Sequence, residues 1–121
     1  MARILAVDDS AAMRQMVGIT LTGAGHQVEQ ANDGREALQI AERQKFDLVI
    51  TDVNMPNMDG ISMVKQVKTM DAYKFTPIIM LTTEAEESKK QQGQAAGAKA
   101  WVVKPFKPEQ MLAAVGKLVL P

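Results

Sequence analysis

The sequence predicts an α/β fold, a doubly wound five-stranded parallel sheet with five helices. Three observations carry this. Short apolar runs alternate strictly with longer stretches of helical periodicity, the pattern of successive β-α-β units. Leu48-Val49-Ile50 and Ile78-Ile79-Met80-Leu81 are apolar at every position, as strands buried on both faces are. Four of the runs end in polar residues. Ile4-Leu5-Ala6-Val7 meets Asp8-Asp9-Ser10, and Leu48-Val49-Ile50 meets Thr51-Asp52. Ile78 to Leu81 meets Thr82-Thr83, and Trp101-Val102-Val103 meets Lys104-Pro105. In an open parallel sheet the strand C-termini share one edge, and ligands bind in the crevice there.

Each element has its own signal. Arg3 to Val7 reads as the first strand. Asp9 or Ser10 can cap a helix running to about Ala24, which Gly25 stops. Its inward stripe is Met13, Met16, Val17, Thr20 and Leu21. Val28 to Ala31 is a short second strand. Asn32-Asp33-Gly34 is a turn and cap, and the helix after it turns Ala37, Leu38 and Ala41 inward. Asp47 to Thr51 is the third strand. Val53 to Asp59 is a loop containing Pro56 and closed by Gly60. Ile61 to about Met70 is helical, with Met63, Val64 and Val67 as its apolar face. Asp71 to Thr76 connects to the fourth strand, Pro77 to Leu81. Glu84 to Ala96 reads as a very polar helix stopped by Gly97, and Lys99 to Val103 as the fifth strand. Pro108 to Val119 closes the fold, with Met111, Leu112, Val115, Leu118 and Val119 inward.

At 121 residues the chain suits one domain with a proper core. No repeat, linker or low-complexity tract interrupts it, so the domain is expected to fill residues 1–121 with no room for an effector. Fourteen basic residues balance fourteen acidic ones, which argues against nucleic-acid or membrane binding through a basic field. The absence of cysteine excludes disulfides and thiolate metal sites. A single histidine, His26, leaves no basis for a His-rich zinc site or a histidine triad. The N-terminal apolar run is too short for a signal-peptide core and nothing approaches a membrane span, so a cytoplasmic protein is expected.

At the shared edge, Asp8, Asp9 and Asp52 would crowd together. Two carboxylates about 4 Å apart repel by roughly 4 kcal/mol at an effective dielectric near 20, so three need a cation. Mg²⁺ suits them, because it takes hard oxygen ligands and usually shares them with phosphate oxygens. Taken singly, Asp9 or Ser10 is as readily an ordinary helix cap, Thr82 an ordinary strand-end residue and Lys104 a solvated lysine. Pro105 directly after the fifth strand suggests a shaped turn, compatible with a cis bond, that aims Lys104 across the pocket.

Asp8-Asp9, Asp52, Thr82-Thr83 and Lys104-Pro105-Phe106, with the loop from Asp52 through Val53-Asn54-Met55-Pro56-Asn57-Met58-Asp59 to Gly60, resemble the receiver domains of two-component response regulators. The resemblance spans the chain and is strongest to single-domain chemotaxis regulators of the CheY type. It implies a flavodoxin-like sheet of order 2-1-3-4-5. It implies that Asp52 is the phosphoacceptor, that Asp9 binds Mg²⁺ directly and Asp8 through water, and that the Asn54 backbone carbonyl is a further metal ligand. Lys104 would pair with the phosphoryl group, while the Thr82 hydroxyl and Thr83 backbone N–H would hydrogen-bond its oxygens. Trp101 falls at the switch aromatic position, where tyrosine or phenylalanine is usual. Its indole is larger and its N–H only donates. Asn54 and Glu84 would tune the lifetime of the phosphoryl group.

The same resemblance implies a phosphoprotein switch rather than an enzyme acting on other molecules. Its phosphodonor would be a histidine kinase of the CheA-like type. Its target, on the face of the fourth helix, fifth strand and fifth helix, would be the flagellar motor switch. A phosphatase is a further candidate partner, and the protein is expected to be a monomer. The alternative is a phosphorelay intermediate or phosphate sink. A haloacid-dehalogenase-like phosphatase would need a carboxylate two residues after Asp52, where Asn54 stands.

Other features read as structural. Most of the nine methionines sit at core spacing as filler, while Met55 and Met58 lie in the loop beside the site. His26 reads as an exposed turn residue. Lys89-Lys90 beside Glu86-Glu87 reads as a solvated helix face. Gly23-Ala24-Gly25 lacks the third glycine of a dinucleotide fingerprint. The loop from Asp52 fails as an EF-hand, because Asn57 replaces its glycine and Met63 its closing glutamate.

Overall fold

The computed structural model describes residues 1–83 and 89–119. Five parallel strands form one sheet in the order β2-β1-β3-β4-β5. They are β1 (Arg3–Val7), β2 (Gln27–Ala31), β3 (Leu48–Asp52), β4 (Ile78–Thr82) and β5 (Ala100–Val103). The helices are α1 (Ala11–Gly23), α2 (Gly34–Arg43), α3 (Gly60–Val67), α4 (Lys90–Ala96) and α5 (Pro108–Leu118).

The period-2 alternation of the strands divides the core into two layers. Leu5, Val7, Val49, Ile78 and Met80 face α2 and α3, packing on Ala37, Ala41, Met63, Val64 and Val67. Ile4, Ala6, Leu48, Ile50, Ile79 and Leu81 face α1 and α5, packing on Val17, Leu21, Met111 and Val115. The central strands β3 and β4 are buried at every position, as their continuous apolar runs require. The edge strand β2 exposes Gln27, Glu29 and Gln30 to water.

Several helix boundaries follow from local chemistry. Ser10 caps α1, its Oγ accepting the Met13 backbone N–H at 3.2 Å. Asp33 caps α2 by accepting from the Glu36 N–H at 2.9 Å, and Glu36 reaches back to the Asn32 N–H at 2.9 Å. Gly97 ends α4 with φ +123°, a conformation that disfavours any side chain.

Some expectations need correction. Met16 is 46% exposed, and the buried stripe of α1 is instead Val17, Gly18 and Leu21, with an added Cβ at Gly18 meeting Gln30 Nε2 at 3.0 Å. His26 is half-buried rather than an exposed turn residue, because its Nδ1 accepts the Ala2 backbone N–H at 3.0 Å. The third helix stops at Val67, short of Met70, and a 3₁₀ turn follows at Asp71–Tyr73. Tyr73 is buried there, its hydroxyl donating to the carbonyls of Ala41 at 2.9 Å and of Gln44. The expected start of the fourth helix, including Glu84, lies outside the described residues; its described part runs Lys90–Ala96. Among the described residues no helix is long and apolar enough to cross a membrane.

Candidate functional site

Parallel register brings the strand ends to one edge. Val7 pairs with Thr51 across β1 and β3, so Asp8 and Asp52, the next residues on each strand, emerge side by side. Both are nearly enclosed, at 1% and 5% exposure, whereas Asp9 faces solvent. Carboxylate oxygens of Asp8, Asp9 and Asp52 all lie within 4.8 Å of one another. The two buried carboxylates share Lys104, whose Nζ stands 3.0 Å from Asp8 Oδ2 and 3.0 Å from Asp52 Oδ1. The Lys104 backbone N–H donates to the Thr82 carbonyl at 2.6 Å, so β4 and β5 deliver the lysine and the threonine together. The Lys104–Pro105 bond is cis.

Other contacts hold the acids in place. Asp8 Oδ1 accepts the Ser10 backbone N–H at 2.8 Å, and Asp52 Oδ1 accepts that of Val53 at 2.8 Å. The Arg14 guanidinium, reaching back from α1, donates to the Asp8 carbonyl at 2.6 Å. Burial pushes the Asp52 carboxyl up to about 6, the Asp8 charge adds to this, and Lys104 opposes it. Burial works against the Lys104 ammonium, but its bonds to Asp8 and Asp52 outweigh it and raise its pKa.

Thr82 is buried at the end of β4, and Thr83 is half-buried beyond it. Thr82 shares a sheet face with Met80, which is in register with Trp101 on β5. Trp101 is half-buried against the α2–α3 core layer. Its Nε1 is buried without a hydrogen-bond partner among the described residues.

Sequence reasoning missed four contributors. Gly60, read only as the end of a loop, touches the site backbone. A Cβ there would lie 1.9 Å from the Asp52 carbonyl oxygen, while its N–H donates to the Val53 carbonyl at 2.8 Å. Asn57 adopts φ +67°, which asparagine tolerates better than most residues, and its Nδ2 donates to Asp33 Oδ2 at 2.8 Å. That bond ties the site loop to the start of α2; the Glu36 N–H bond first, and the Asn57 bond after it, hold the Asp33 carboxyl below its ordinary range. Arg14 carried no signal beyond its helical position. Lys89, read as part of a solvated face, is half-buried and donates to Asn54 Oδ1 at 3.0 Å. Only proximity created by the fold reveals that contact.

The donor set is all hard oxygen, from three clustered acids, beside one fixed ammonium. That arrangement fits a divalent cation of the Mg²⁺ class. Residues 4–116 match the model of the response regulator receiver domain. The chain belongs to the response regulator receiver family. It is similar to the solved structure of Vibrio cholerae chemotaxis protein CheY4, with 55% identity, a TM-score of 0.94, and coverage of 98% of this chain and 99% of that one. It is 37% identical to chemotaxis protein CheY-3 of Vibrio cholerae over 86% of this chain and 81% of that protein. It is also similar, at 27% identity and TM-score 0.89, to the receiver domain of the sensor histidine kinase PA1611 from Pseudomonas aeruginosa. That structure has a magnesium ion coordinated in the active-site cleft, and the match covers 97% of this chain and 96% of that one. The chain spans half or less of the length of the first curated relatives it matches. Receiver domains take phosphoryl groups from histidine kinases and act on targets.

Proposed function

We propose that this receiver is a chemotaxis-type switch in which Asp52 is the phosphoacceptor. The observation that carries the reading is the Lys104 ammonium held 3.0 Å from both Asp8 and Asp52, with Asp9 completing the acidic cluster. Asp8, Asp9, Asp52 and the Asn54 carbonyl would hold Mg²⁺. When bound, the ion supplies positive charge that offsets the phosphoryl oxygens.

The protein's own residues do the remaining work. With its carboxyl pushed up only to about 6, Asp52 is ionised at neutral pH and available as a nucleophile. One of its oxygens forms a P–O bond as the P–N bond to the kinase imidazole breaks. The electron pair leaves with the imidazole nitrogen, so no redox partner is needed. Lys104 then faces a phosphoryl oxygen, and the Thr82 hydroxyl and Thr83 N–H donate to others. Asn54 and Glu84 orient the water that later removes the group, which makes the state short-lived.

The output is conformational. A phosphoryl group adds three acceptor oxygens and raises the negative charge. Thr82 moves towards it, and Trp101, on the same face of the sheet, follows into the space left. The changed surface comprises α4, β5 and α5. A groove of about 570 Å³ opens there between β5 and α5, with Trp101 and Val103 in its wall and Lys99 and Lys117 at its sides. Apolar lining flanked by lysines suits an acidic, partly apolar segment of a motor-switch target.

Acetyl phosphate with Mg²⁺ tests the reading. Intact-mass spectrometry should show one added phosphoryl group, absent in Asp52→Asn, and the emission of Trp101 should change only in the parent. Full labelling of Asp52→Asn would sink the assignment.

A further inference from the structure

We infer that Lys89 is a second phosphate-facing cation of this site, exchanging the Asn54 side chain for a phosphoryl oxygen once Asp52 is phosphorylated. The inference rests on Asp52 being the phosphoacceptor. Lys89 Nζ donates to Asn54 Oδ1 at 3.0 Å, and Asn54 stands two residues beyond Asp52 on the loop at the site mouth. Neighbouring Lys90 does something different: it is exposed and lies over the Trp101 ring at 5.3 Å.

Among the described residues, nothing in α4 gives Lys89 a stabilising role in that helix. The lysine directly precedes the described part of α4, and among the described residues its side chain caps nothing and no acidic residue occupies the first turn. A cation there opposes the helix dipole. Its placement is better explained by what it faces across the mouth.

The other cations near the acids are already engaged. Lys104 is shared between Asp8 and Asp52, and Arg14 is held on the Asp8 carbonyl. Phosphorylation replaces one charge on Asp52 with about −1.5 to −2 and adds three acceptors. Lys89 carries three N–H donors on a flexible stem, and its described partner is a neutral amide oxygen. An anionic phosphoryl oxygen offers that ammonium a Coulomb attraction the amide lacks.

Beryllofluoride, a tetrahedral anion that mimics a phosphoryl group on a carboxylate, gives the test. Its affinity is measured with Mg²⁺ by calorimetry for the parent, Lys89→Gln, Lys89→Arg and Asp52→Asn, alongside melting temperatures before the anion is added. Lys89→Gln should bind about three- to tenfold more weakly, with the deficit shrinking as salt rises. Lys89→Arg should stay within about twofold of the parent, since it keeps the charge. Melting temperatures should match among the parent and the two Lys89 variants. Parental affinity in Lys89→Gln overturns the assignment, and so does a loss repeated in Lys89→Arg or accompanied by a lower melting temperature. If the parent does not bind beryllofluoride, or Asp52→Asn binds it equally well, the reading of Asp52 falls instead, and Lys89 with it.

Discussion

Asp52 holds a carboxyl pushed from an ordinary 3.8 to about 6, chiefly by burial. The sign of the consequence follows from proton counting. Between these two values the folded protein keeps a proton that the unfolded chain releases, so lowering the pH through this window favours the folded state. Above about 6 both states are ionised and the folded protein bears the full cost of a buried charge. Asparagine at this position cannot ionise. In Mg²⁺-free buffer, the stability of Asp52→Asn relative to the parent should therefore be greater at pH 7.5 than at pH 4.5, as read from urea denaturation at both values. An identical difference at the two pH values would mean that Asp52 is not desolvated as its burial implies.

The loop from Val53 to Asp59 shows how neighbouring elements shape a site they do not themselves line. Asn57 ties it to the cap of α2, Lys89 ties it to the start of α4, and Gly60 lets α3 begin against the carbonyl of Asp52. The last contact is the least tolerant, because the atom opposing a new side chain is rigid backbone. Gly60→Ala should destabilise the protein by about 1–3 kcal/mol through overpacking. It should also weaken metal binding, since relief of the clash must displace the Asp52 to Val53 segment. Chemical denaturation and a Mg²⁺ titration would show both effects. A variant with parental stability would mean that the loop accommodates the methyl group. Gly60 was visible in the sequence as a loop end, but its contact with Asp52 depends on the path of the loop.

Across the whole molecule, the acidic edge stores a repulsion that Lys104 offsets only in part. A cation that binds the folded state alone stabilises it by RT ln(1 + [L]/Kd). At ten times its Kd, Mg²⁺ should add about 1.4 kcal/mol, raising the melting temperature by about 4–7 °C. Asp9→Ala should remove most of that rise, and without metal it should melt no lower than the parent, because the repulsion falls. Scanning calorimetry with and without Mg²⁺ measures both, and a parent indifferent to Mg²⁺ would reject the metal site.

The sequence by itself determined the class of fold and the identity of its chemical edge. Strict alternation of buried strands and amphipathic helices leaves few topologies open, and Asp8, Asp9, Asp52, Thr82 and Lys104 all follow directly on strand signals. These are local patterns, and periodicity reports them faithfully. Local pattern failed at Met16, which has helical core spacing yet is 46% exposed, because which residues of α1 meet the sheet depends on how the helix is turned when it packs. It failed likewise for His26, paired with Ala2 from the other end of β1 and β2. Tertiary structure alone decided that one lysine bridges two carboxylates, that Gly60 abuts Asp52 and that Lys89 reaches Asn54. Each joins residues far apart in the chain, or on opposite sides of a turn, over distances of a few ångströms. No residue's type encodes such a distance; it emerges only when the sheet register and helix packing are set together.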